Sequence, residues 1–406
     1  MYRVGCAKVD ITPPLGIPYL GKAPQRHAPV KGIHDPLFAR AACIEAGTAR
    51  ALVVSADTIG FANTILGEGR SFVGEVKREI ERATGIPGSH VMIASNHIHS
   101  SAETLGFRPL SATYPEAQSW LESLNAALAQ CAITACGSLV EADLRIMKGT
   151  APGLAYNRRG EECLDERLDV LLFTSAAGPE LVMVNYACHP VVVQAQPLAS
   201  ADYVGAMTAG VEAALPSLQC CQFLLGACGD IDPSCRATRR FSDAEHMGQR
   251  LAEDVLRLVS SVADRGDTAQ PARVKAASAE VEFPSRPLPT PEEAAEIMEE
   301  EELVRIAEGS GPFREEVQVI QVGEAALVGI PGEAFSSLGR QVKASCEPLT
   351  GVPVTCANGY LGYLAPPEAW ERGGYEVSLG PWSKVGPEGP ALLLRAVRQL
   401  LHEVSE

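Results

Sequence analysis

The sequence has no C-x-x-C pair, no G-x-S-x-G segment, and no phosphate-binding loop carrying its Lys and Ser/Thr. Each absence removes a class. Without C-x-x-C, the twelve cysteines have no zinc-finger or thioredoxin spacing, so they read as reduced and mostly buried thiols. Without the serine elbow an α/β-hydrolase mechanism is disfavoured, and the glycine-rich stretch Gly226–Pro233 fits no nucleotide-binding pattern. Positive charge is also scarce, 34 Lys+Arg against 50 Asp+Glu, a formal charge of −16. Such a balance argues against nucleic acid and anionic membranes as partners, and the short basic clusters Arg158-Arg159 and Arg236 to Arg240 do not reverse it. The stretch Ser123–Val140 lacks charge, but Asn125, Gln130 and Thr134 interrupt it, so it reads as a buried helix with no stable membrane insertion. The opening residues show no signal-peptide core, so a cytoplasmic protein is expected.

What is present is an alternation of apolar strand-like runs and helical patterns over 406 residues, 46% of them hydrophobic. Helices are expected over Gly69–Thr84, Pro115–Cys136, Tyr203–Leu215, Ser242–Ala263, Pro291–Glu308 (with Thr290 as its cap), Ser336–Cys346 and Pro390–Val404. Three β-hairpins stand out because each ends on a residue able to bind a metal: Leu37–Asp57, Asp169–His189 and Glu316–Glu333. A fourth apolar run, Val91–Ala94, delivers His97-Ile98-His99. Hairpins demand antiparallel pairs, so the expected class is α/β with a mixed sheet and flanking helices. Chain 1–406 reads as one catalytic domain, because the third hairpin completes the same polar site at one sheet edge.

The individual signals are modest. In His97-Ile98-His99 the two rings alternate in direction unless the backbone bends, which suggests one ligand and one neighbour facing the substrate. Cys188-His189-Pro190 and Pro331-Gly332-Glu333 each place a ligand type at a strand end, and the glycines of Gly226–Pro233 would let backbone N–H groups approach a ligand. Asp, His and Glu from distant parts of one chain share divalent-metal chemistry, zinc above all.

As a set, several segments resemble the neutral (non-lysosomal) ceramidase family. They are Ala7–Pro14, His34-Asp35-Pro36-Leu37, Ser55-Ala56-Asp57, His97–Ser100, Asn157-Arg158, Ser200-Ala201-Asp202, Gly229-Asp230, Pro331-Gly332-Glu333 and Tyr360–Tyr363 through Tyr375-Glu376. The resemblance covers nearly the whole chain in order and spacing. It implies a zinc-dependent amidase that cleaves an N-acyl bond, with His97, His189, Glu333 and Tyr363 as zinc ligands. It places His99, Arg158 and Tyr375 along the scissile amide. Two departures accompany it. Asp232 stands where the family has a catalytic Ser, and the family's C-terminal β-sandwich domain is not expected here. A carboxylate at 232 suggests a base, or a seat for an ammonium or hydroxyls; Glu333 is the other candidate base. The expected activity is therefore amide hydrolysis of a small polar molecule. Alternatives are a true ceramidase, a zinc-dependent hydrolase or lyase of an ester, lactone or sugar bond, and a non-catalytic zinc protein. A homo-oligomer remains compatible with the sequence.

Overall fold

The three expected hairpins form, and each belongs to a larger unit that occurs three times. In the computed structural model, which describes residues 1–19, 28–107, 114–194, 196–261, 272–288 and 311–406, the plan is constant. A strand pairs antiparallel with or beside a hairpin, a helix follows, and a fourth strand returns parallel to the second hairpin arm. The first unit is Tyr2–Asp10, Phe38–Ala46, Ala49–Ala56, helix Phe72–Thr84 and Val91–Ser95. The second is Val140–Thr150, Arg167–Ser175, Gly178–Tyr186, helix Asp202–Ala214 and Cys220–Leu225. The third is Val274–Phe283, Phe313–Val322, Ala325–Ile330, helix Ser336–Ser345 and Thr350–Thr355. A longer helix follows each unit: Ala117–Gly137, Phe241–Ser260 and Gly389–Ser405.

Units one and two join where Tyr2–Val4 runs antiparallel to Val140–Ala142, giving an eight-stranded mixed sheet, while unit three forms a four-stranded sheet. Side-chain alternation explains the layering. In Phe38–Ala46 and Ala49–Ala56, Ala41, Cys43, Leu52 and Val54 face the two helices of unit one. Ala42, Ile44, Ala51 and Val53 face the other way, meeting Leu171, Met183, Ile320, Leu327 and Val354. The two sheets thus share an apolar interior, with helices outside. Strands buried on both faces have no polar face to alternate, which is why they read as continuous apolar runs.

The helix expectations agree with the structure to within a few residues, and Ser71 caps the first, its hydroxyl accepting from the Gly74 N–H at 3.1 Å. The helix Pro291–Glu308 and its Thr290 cap lie outside the described residues. Tyr2–Asp10 and Val140–Thr150 were not anticipated as strands. The second exposes Glu141 and Asp143 between buried Ala142 and Leu144, and its start merges with the preceding apolar helix. No helix among the described residues is long and apolar enough to cross a membrane. The polar site does not lie at the edge of one sheet. It sits where strand ends of both sheets meet, joined by the Asn358 N–H donating to Ile93 O at 2.7 Å.

Candidate metal centre

The candidate ligand residues stand just past the C-terminal end of a third or fourth strand of a unit, the end at which parallel-strand layers present loops. His97 and His99 follow Val91–Ser95, His189 follows Gly178–Tyr186, Glu333 follows Ala325–Ile330, and Tyr360 and Tyr363 follow Thr350–Thr355. Asp57 occupies the matching place in unit one, but it does not join them. It is fully buried, ion-paired to Arg40 at 3.0 Å and hydrogen-bonded by Asn96 and the Phe38 N–H, so the first hairpin end is structural. The expectation that all three hairpin ends would supply the site is corrected on that ground.

The backbone does bend at the H-x-H segment. His97 has φ 58°, a left-handed conformation that a non-glycine residue holds only when its surroundings impose it. The Ile98 N–H donates to Thr58 O and the His97 N–H to Ser95 Oγ, and these fix it. Both rings then face one point, with His97 Nε2 and His99 Nε2 3.2 Å apart. One ligating nitrogen each from His97, His99 and His189 lies within 4.8 Å of the other two. Glu333 Oε2 stands 2.9 Å from His189 Nε2 and 3.3 Å from His97 Nε2.

The surrounding hydrogen bonds set which atoms are bare. His97 Nδ1 lies 2.6 Å from Ile59 O and His189 Nδ1 lies 2.6 Å from Cys228 O. A carbonyl only accepts, so each Nδ1 carries the proton and each Nε2 presents its lone pair inward. Tyr360 donates its hydroxyl proton to Glu333 Oε1 at 2.5 Å, leaving Oε2 directed at the histidines. Burial pushes His189 below the usual histidine range and His99 well below it, with the neighbouring imidazoles adding to the effect. Burial alone would raise the Glu333 carboxyl, but the facing His97 and His189 hold it well below the ordinary range. Imidazole nitrogens and an ionised carboxylate around one point form a donor set that fits a divalent cation such as zinc.

The glycine-rich loop serves this centre as scaffold. The Gly229 N–H donates to Ala334 O at 2.8 Å, and a Cβ on Gly229 would sit 2.7 Å from Glu333 O. Asp230 receives the Ser336 N–H and hydroxyl, anchoring the start of the helix after Glu333. Thus the loop's glycine brings two backbones together; its N–H does not face a ligand.

A cavity of about 760 Å³ opens over the centre, lined by His97, His99, His189, Glu333, Tyr360 and Tyr363 below and by Tyr375, Trp382 and several arginines above. Arg158 is largely buried, and four of its five N–H donors are engaged. Its guanidinium donates to Gly229 O at 2.6 Å, Glu376 Oε1 at 2.7 Å, Asp232 Oδ1 at 3.1 Å and the Tyr363 hydroxyl at 3.1 Å. Tyr375 packs against Trp382 with ring centroids 4.9 Å apart and meets Tyr363 edge-on. Asp232 is fully buried, with one carboxylate oxygen on Arg158 and the other on Arg236. The notion that it adds unneutralised negative charge, favouring an amine, is therefore corrected: two guanidinium groups compensate one carboxylate. Sequence reasoning did not single out Tyr360. Its one signal was its place in the segment Tyr360–Tyr363, just after the strand Thr350–Thr355.

Neither a protein-family model nor a curated protein sequence matches the chain. By structure it is similar to the neutral ceramidase from Pseudomonas aeruginosa, with a TM-score of 0.77 at 19% identity, over 99% of this chain and 75% of that one. It is also similar to a structure described as ceramidase complexed with C2, with a TM-score of 0.76 at 17% identity, over 100% of this chain and 75% of that one.

Proposed function

From its neutral-ceramidase-like fold and the converged centre, we propose that this chain is a zinc-dependent hydrolase cleaving an amide bond of a small polar molecule. The observation that carries the reading is the arrangement of His97, His189 and Glu333, each oriented from behind by a hydrogen bond that leaves its ligating atom facing inward. A zinc ion held there would supply Lewis acidity toward a carbonyl oxygen and a water whose pKa is lowered to about 7.

His97, His189 and Glu333 hold the ion, with Tyr363 as the further ligand that the resemblance implies. The Arg158 guanidinium, 3.1 Å from the Tyr363 oxygen, opposes the rise that burial imposes on that phenol. His99 stands beside the ion, where it orients the scissile carbonyl and steadies the charge that develops on its oxygen. Tyr375 packs the edge of the bound amide, and Arg158 fixes Tyr363 and the Gly229 backbone. Asp232, fully buried and paired with two arginines, acts as a positioning residue for Arg158.

A second reading of the ligand set is favoured by the nitrogen distances. The ligating nitrogen of His99 lies within 4.8 Å of those of His97 and His189, and His99 would replace Tyr363 as a ligand. Both readings are tested together. Elemental analysis of protein purified without added metal should find one zinc per chain. Turnover of a panel of short polar amides should stop on chelation and return with zinc. Metal-free protein that hydrolyses the panel at the same rate would refute the proposal.

A further inference from the structure

The chain carries a formal charge of −16, yet four arginines, Arg158, Arg159, Arg236 and Arg372, line its cavity. Their pairing forms one alternating line. Arg236 binds Asp232, which binds Arg158 at 3.1 Å; Arg158 and Arg159 share Glu376 at 2.7 Å each; Arg159 binds Glu161 at 3.1 Å, which meets Arg372 at 3.3 Å. Four cations alternate with three anions, so the line carries one uncompensated positive charge, and both its ends are arginines facing the cavity. The interior members are spent on one another: the Arg158 and Arg159 side chains are 12% and 9% exposed, against 29% for Arg236 and 65% for Arg372.

Arg236 is the end suited to recognition. One of its Nη groups is pinned by the buried Asp232, which fixes the guanidinium plane and leaves its remaining N–H donors for a ligand. Gln194 lines the same cavity, is 6% exposed, and its amide has no hydrogen-bond partner among the described residues. The two segments are tied together by Gln196, whose Nε2 donates to Arg239 O at 3.2 Å. A guanidinium and a carboxamide on adjoining loops of one cavity wall both supply N–H donors, the groups from which a carboxylate accepts.

We propose that Arg236 and Gln194 form a carboxylate subsite, and that the substrate is an N-acyl amino acid or a similar amide bearing a carboxylate beside its nitrogen. The inference rests on the amidase reading for its chemistry, though the binding preference stands separately. Hydrolysis would break the amide C–N bond, with water giving its hydroxyl to the acyl carbon and its proton to the amine nitrogen. The aromatic wall of Phe107, Tyr375 and Trp382 gives an apolar side chain a surface to pack on.

Calorimetry on the zinc-loaded chain tests this with a non-hydrolysable pair, 2-benzyl-4-oxopentanoate and its neutral primary carboxamide. The carboxylate is expected to bind on the order of tenfold more tightly than the carboxamide, as one charge-assisted pair at a half-buried guanidinium allows. Arg236→Met should abolish that preference, and Arg236→Lys should keep a few-fold, since charge remains without the fork. Should Arg236→Met fail to fold, Gln194→Leu, which leaves the ion pairs intact, should still reduce the preference severalfold. Equal affinity for the two probes, no binding of the carboxylate, or a preference that survives in Arg236→Met with the carboxylate seated on the metal would each overturn the subsite. Release of phenylalanine from N-acetylphenylalanine is measured in parallel. Its absence would count against the amidase reading while the binding comparison still judges Arg236.

Discussion

Replacing Tyr360 by Phe removes one oxygen and nothing else. The ring is buried at 2% exposure, so an isosteric phenyl leaves no cavity and keeps the ring contact with His97. What is lost is the 2.5 Å hydrogen bond to Glu333 Oε1. Burial and the Glu333 charge hold the phenol well above its usual pKa, so it is a donor throughout the accessible pH range. A hydrogen bond to a charged group contributes about 1.5–3 kcal/mol, and its removal strands a buried carboxylate oxygen. At roughly 1.4 kcal/mol per tenfold, that corresponds to about a 10- to 100-fold loss of metal affinity, the range seen when groups behind metal ligands are removed. Competition against chelators of graded affinity reads this directly, and thermal unfolding of the metal-free protein reads the orphaned carboxylate. Wild-type zinc affinity in Tyr360→Phe would refute the claim that Tyr360 orients Glu333, even if zinc is bound.

Three further outcomes follow from the same geometry. His189→Ala should lose the zinc, because it removes a ligand whose Nδ1 is locked to Cys228 O; full metal content in that variant would refute the assignment. His99→Ala should keep the zinc and lose turnover by on the order of 10²-fold, as removal of an oxyanion-stabilising group does; loss of the metal instead would make His99 a ligand in place of Tyr363. Burial raises the Asp202 carboxyl to about 6 from its usual 3.8, opposed by the Val193 and Tyr203 N–H groups. A carboxyl raised in the folded state binds its proton more tightly there. Its stabilisation is complete below pH 4 and is lost as pH rises through 6, about 3 kcal/mol in all. The stability difference between wild type and Asp202→Asn should therefore shift in favour of the variant between pH 4 and pH 7, measured by denaturant unfolding at each pH. A difference that does not change with pH would show that Asp202 is not so perturbed.

Local signals in the sequence sufficed for the hairpins, the helices and the residue types at their ends, but not for the strands Tyr2–Asp10 and Val140–Thr150. Apolar runs broken by Gly47-Thr48, Gly178-Pro179 and Gly323-Glu324 mark hairpins because a strand must turn where glycine permits positive φ, and all three hairpins form there. The positions of His97, His189 and Glu333 at strand ends are equally local. Tertiary structure decided which ends meet. Asp57 has the same local pattern as His189, but the long-range partner Arg40 draws it into the core, and no local rule distinguishes the two. The convergence of His97 with His99 depends on a left-handed residue that Thr58 and Ser95 impose, against the alternation that an extended strand would give. The neutralisation of Asp232 is local in one half, from Arg236 four residues on, and tertiary in the other, because Arg158 lies 74 residues away in sequence. Hydrophobic period and turn chemistry act over a few residues and are written in the chain, whereas ion pairing and ligand convergence act through space and are set by packing.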